Sequence, residues 1–136
     1  MSDLAGESKA YWRLGAQIVQ YNARLAFMAH RFGEAHADAN VFVFNTHKLS
    51  LTVRLEPTRF PETSMYNHLF GYCFPYADDI WWVPTEAVFD PGCTDGLVNY
   101  FWRDEFHYSE PFQKLMARQI VELLGRTEER LPMEFY

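Results

Sequence analysis

The chain has 136 residues, 49% of them hydrophobic and 18% aromatic, enough for one domain with a real core and far from a disordered composition. Its 12 Lys and Arg are scattered and outnumbered by 18 Asp and Glu, giving a formal charge of −6, so DNA or RNA is not an expected partner. No apolar run approaches the roughly 18 residues needed to span a bilayer, and "MSDLAGESKAYWR" lacks a basic start followed by an apolar stretch, so neither a membrane nor an export signal is expected.

After a polar leader over residues 1–10, Leu14, Ile18, Tyr21, Leu25, Met28 and Phe32 recur at spacings of four and three, the pattern of one helix face. This predicts a helix over residues 10–35, stopped by Gly33 and the polar "EAHADAN" stretch. The run "VFVF" at 41–44 then reads as a strand apolar on both faces, as found inside a parallel sheet, and points to an α/β class. Such a strand has open edges and few companions to cover it here, so the expectation is self-association, a partner chain or poor stability alone. Residues 47–56 support two readings. Leu49, Leu51, Val53 and Leu55 alternate with Ser50, Thr52 and Arg54 like a half-buried strand, whereas Asn45 or Thr46 could cap a helix ended by Pro57. Periodicity alone favours the strand.

From Pro57 to Asn99 the chain carries five of its seven prolines, Gly71, Gly92, Gly96 and both cysteines, and reads as a long loop with short pieces of structure. Cys73 and Cys93 fit one disulfide, two free thiols or chance; no CxxC or CxxH spacing marks a zinc site. A bridge between them would close about twenty residues and stabilise by roughly 3 kcal/mol in the chain-entropy model. Trp81 and Trp82, with Phe74 and Tyr76, crowd this loop with aromatic faces on which a sugar or acyl chain could stack, although packing over the domain's own core is the favoured reading. Ser109 can cap a last helix with Pro111 in its first turn, Leu115, Met116, Ile120, Leu123 and Leu124 on its apolar face and Gly125 at its end, followed by a polar tail over 126–136.

Asp104 and His107 stand three apart just ahead of that helix. A histidine acting as general base must be held in one tautomer, and a carboxylate accepting from Nδ1–H does this while stabilising the imidazolium formed when Nε2 takes a proton. A local hydrogen bond capping a turn accounts for the same two residues without chemistry. His30, His36, Asp38 and His47 are the other candidates for a metal, but His30 and His36 fall on different helix faces and no ligand motif emerges, so no metal is expected.

"YNARLAFMAHRFGEAHADANVFVFNTHKLSLTVRLEPTRF", then "GYC", a second cysteine and "YFWRDEFHYSEPFQKLMARQIVELL" together resemble the C-terminal part of fungal GDSL-type (SGNH) esterases, especially secreted acetylesterases acting on carbohydrates. The resemblance covers roughly residues 11–125, and its most specific piece is the aromatic stretch, Asp-x-x-His and following helix. It implies a partial SGNH fold, an α/β flavodoxin-like three-layer architecture, helix-rich and lacking its N-terminal strands. It also implies Asp104 as triad carboxylate, His107 as triad base, a bond between Cys73 and Cys93, a helix rather than a strand over 47–56, and no cofactor. Tyr108 stands where the family usually has proline. The family's GDS serine and its glycine and GxND oxyanion blocks have no counterpart here: Ser2, Ser8, Ser50, Ser64 and Ser109 lie in other contexts. The expectation is therefore the back half of an ester hydrolase, inactive alone, acting on a small ester or acetylated sugar only when completed by an N-terminal half. A non-catalytic ligand- or partner-binding remnant and a truncated gene are the alternatives. Family habit is secretion.

Overall fold

The computed structural model describes residues 4–77 and 89–125. The described residues divide into two compact units, 4–43 in the first and those from 44 to 125 in the second. The first unit is dominated by α1 (Leu4–Ala35), which begins before and ends close to where the apolar spacing places it. At least about half of each side chain of Ile18, Tyr21, Leu25, Met28 and Phe32 is exposed, so this apolar stripe is not a core face.

Residues 41–44 are not a strand, and this overturns the α/β three-layer expectation. Among the described residues there is no strand or sheet, only two isolated bridges, His68 with Tyr100 and Trp102 with Tyr108. The physical reason is that a strand needs a ladder partner for its backbone groups, and among the described residues no segment supplies one. The chain instead turns after α1 through the Ala39 N–H bond to the His36 carbonyl at 3.0 Å. Val41 then lies close over Gly33, 3.7 Å from where a Cβ on that glycine would stand. Phe42 and Val43 stay about 40% exposed. The basis for self-association through an open strand edge disappears with the strand.

The second unit begins with α2 (Thr46–Leu55), a helix where the alternating pattern favours a strand. The Asn45 side chain decides it locally, accepting the Lys48 N–H at 2.8 Å, and Glu56 N–H closes the far end on the Thr52 carbonyl before Pro57. In a helix the four alternating apolar residues separate by spacing of four: Leu49 and Val53 face the core, while Leu51 and Leu55 face outward. Two 3-10 turns follow, Pro57–Arg59 and Pro61–Thr63, pinned by the buried Thr63 hydroxyl, which donates to the Pro57 carbonyl at 2.7 Å.

The main core joins Val53, Tyr66, Phe101, Phe112 and Leu115. Phe101 is its centre: it meets Tyr66, Trp102, Tyr108 and Phe112 edge-on, with ring centroids 5.0–5.7 Å apart. A second cluster of Tyr76, Cys93, Leu97 and Tyr100 surrounds the Cys73–Cys93 disulfide, whose Cα atoms are 5.9 Å apart. The short helix α3 (Phe74–Ala77) starts directly after Cys73. The last helix, α4 (Glu110–Gly125), buries Pro111, Phe112 and Leu115 and is tied to the second 3-10 turn by the Arg118 guanidinium, which donates from Nη2 to Glu62 Oε2 at 3.1 Å. That guanidinium holds the Glu62 carboxyl below the usual carboxylate range. No described helix is long and apolar enough to cross a membrane.

Candidate functional site

The turn between Trp102 and Tyr108 is a closed loop on a rigid base. The two rings stack with centroids 4.7 Å apart, both pack against the core, and Arg103 N–H donates to the His107 carbonyl at 2.9 Å. Inside that loop the sequence Asp-Glu-Phe-His folds as an Asx turn, because a short carboxylate can accept the amides two and three residues ahead. Asp104 Oδ1 accepts the N–H groups of Phe106 and His107, each at 2.8 Å. Both carboxylate oxygens also lie 2.9 Å from His107 Nδ1.

The two partners differ sharply in exposure: the side chain of Asp104 is 10% exposed and that of His107 52%. Burial pushes the Asp104 carboxyl upward, but the Phe106 and His107 amides together with the His107 ring outweigh it and leave the group below its ordinary value. Asp104 is thus an ionised acceptor at neutral pH. In the neutral imidazole Nδ1 then carries the hydrogen that Asp104 accepts, and Nε2 is the basic nitrogen.

His107 and Asp104 line a pocket of about 320 Å³ with Tyr72, Phe74, Ala77, Glu105 and Phe106. The Tyr72 hydroxyl donates to Glu105 Oε1 at 3.0 Å, and this bond to a carboxylate raises the phenol above its usual range. Phe74 and Phe106 are 68% and 79% exposed, so neither ring is used by the core. Tyr72 follows Gly71, whose φ of 74° lies where a side-chain-bearing residue is strained.

The sequence-predicted pair is therefore brought together, and Cys73 is bonded to Cys93. Trp81 and Trp82 lie outside the described residues. Of the histidines considered for a metal, His30 pairs with Glu34 at 3.3 Å and His36 rests on the Phe32 ring; among the described residues no group of three His, Cys, Asp or Glu is placed to hold a metal. Sequence reading missed Tyr72 and Glu105, thirty-three residues apart, and Phe106, although Glu105 and Phe106 are the two residues inside the Asp-x-x-His spacing itself.

It also missed a second histidine–carboxylate pair. His68 Nε2 lies 2.7 Å from Asp95 Oδ2, with the imidazole stacked on Tyr100 at 4.1 Å. This pair fastens the segment after the disulfide to residues 66–68 and does not line the pocket. None of the described residues lining the pocket is Ser, Thr or Cys. No family model, curated protein or solved structure matches the chain.

Proposed function

We propose that this chain provides the oriented base of an ester hydrolase, with Asp104 holding His107 and the nucleophilic serine coming from outside this sequence. The observation that carries the reading is one buried carboxylate that fixes both the imidazole and the turn on which it stands. A base held in this way pays little reorganisation when it takes a proton, and the carboxylate stabilises the imidazolium that results.

The chemistry follows from that tautomer. As the serine oxygen bonds to the ester carbonyl carbon, its hydroxyl proton passes to His107 Nε2 and the carbonyl electron pair moves to the oxygen. Collapse of the tetrahedral intermediate breaks the bond to the alcohol, whose oxygen takes the proton back from Nε2. Water then repeats the cycle on the acyl group and regenerates the serine. Donors for the oxyanion must come with the serine, because the glycine and asparagine blocks have no counterpart in this sequence.

The test is to mix the intact chain with a GDSL-esterase N-terminal fragment that carries the serine, glycine and asparagine blocks. Hydrolysis of p-nitrophenyl acetate is expected in the mixture, lost on Asp104→Ala or His107→Ala. A mixture in which both variants match the parent chain overturns the reading and leaves a non-catalytic binding protein.

A further inference from the structure

We propose that the pocket beside His107 is an aromatic cage for a quaternary ammonium group, which makes the ester substrate a choline-type ester in place of the acetylated sugar that the esterase resemblance implies. The substrate assignment rests on the hydrolase reading above; the binding claim does not. Three aromatic side chains, Tyr72, Phe74 and Phe106, line the same cavity as two carboxylates, Asp104 and Glu105. The described lining residues include no Lys or Arg. Its volume of about 320 Å³ is at the small end of ligand sites, which run from about 300 to 1,000 Å³.

Each feature selects for a cation. The faces of aromatic rings carry negative electrostatic potential and attract an ammonium group, with quaternary ammonium ligands a recurring case. Two carboxylates repel an anionic ligand such as a fatty acid or a uronic acid and favour a positive one. A trimethylammonium group has no N–H to donate, so it needs diffuse charge and apolar contact rather than hydrogen bonds. Phe74 and Phe106, both largely exposed, offer this contact. Glu105 Oε1 accepts the Tyr72 hydroxyl at 3.0 Å, which fixes that side chain at the cage wall. His107, the base of the hydrolase reading, lines the same cavity as the three rings.

The experiment is an NMR titration of the intact chain with choline, with its neutral isostere 3,3-dimethylbutan-1-ol, and with Nε-trimethyl-lysine. Choline is expected to shift resonances of Phe74, Phe106 and His107 saturably and to bind at least several-fold tighter than the neutral isostere. Phe106→Ala should weaken choline binding by about two- to fivefold, the worth of one exposed cation–π contact. Glu105→Gln, an isosteric change at an exposed position, should weaken choline without weakening the isostere. Choline carries no ester bond, so its binding is tested apart from hydrolysis. Equal binding of choline and the neutral isostere, or no saturable binding of choline, overturns the cage. Tighter binding of trimethyl-lysine than of choline overturns the small-ester assignment. A cage that binds choline in a chain that fails the mixing experiment sinks the hydrolase reading alone.

Discussion

The Tyr66 hydroxyl accepts the Phe112 N–H at 2.8 Å and lies 2.8 Å from Ser109 Oγ. An aromatic residue forty-six positions upstream thus satisfies one of the open amides of α4, a role for which Ser109 is the expected local candidate. Ser109, buried, spends its hydroxyl on Tyr66 instead. Since α4 directly follows the Asp104–His107 turn, this bond anchors the site to the core.

Tyr66→Phe is expected to destabilise the fold by about 1–3 kcal/mol, because it keeps the ring and leaves a buried amide and hydroxyl without their partner. Burial pushes the Tyr66 phenol up to about 12. A group with a raised native pKa gives stability that is full below its unfolded value, near 10, and is lost as pH rises toward 12. Urea titrations at pH 9 and pH 11 should therefore show a loss of stability in the parent chain that is smaller in Tyr66→Phe.

What was legible in the sequence was what is local. Asp104 and His107 meet because three residues separate them, and α1 and α4 show their spacing directly. Residues 46–55 misled the periodicity count because alternation every two residues also places Leu49 and Val53 four apart, and the Asn45 cap selects the helix. "VFVF" misled because apolar β-branched and aromatic residues state a preference for burial without saying what they will be buried against. The bonds joining Tyr66 to Phe112, His68 to Asp95 and Tyr72 to Glu105 have no sequence period at all. They exist only once the chain has folded.

Reduction of the Cys73–Cys93 bridge should cost roughly 3 kcal/mol, since the unfolded chain regains the freedom of a loop of about twenty residues. The bridge also holds Tyr72 and Phe74, its immediate neighbours, to the segment carrying Cys93. Thermal unfolding with and without reductant is the measurement. An unchanged melting temperature, or two alkylatable thiols in protein made under oxidising conditions, contradicts this expectation.

Asp104 should leave an acid signature. Its carboxyl is held below the ordinary value of 3.8, burial opposing and the two amides and the His107 ring prevailing. A depressed native pKa gives stability that is present above the unfolded value and is lost as pH falls through the native one. Asp104→Ala should cost about 1–3 kcal/mol at neutral pH by stripping two amides of their acceptor. Its stability should also fall less than the parent's between pH 5 and pH 2, followed by denaturant midpoints. Equal acid sensitivity in the two proteins would show that other carboxylates govern the low-pH transition.

The chain by itself should hydrolyse p-nitrophenyl acetate no faster than its His107→Ala variant, within about twofold. A general base lowers a barrier only when the proton it takes is within hydrogen-bond reach, and oxyanion stabilisation needs donors aimed at the developing charge. The described residues lining the pocket hold no hydroxyl or thiol other than the Tyr72 phenol, which is already donating to Glu105. Ser109 is buried on Tyr66 and Ser50 donates to the His47 carbonyl, so the two buried serines are committed to the fold. An exposed imidazole acting on water gives background rates, which a pseudo-first-order assay against buffer imidazole resolves. Robust turnover by the isolated chain that disappears when one of its own serines is replaced would falsify the requirement for an external nucleophile. The same turnover surviving every serine substitution but lost on His107→Ala would make His107 itself the nucleophile, with the acyl group carried on Nε2.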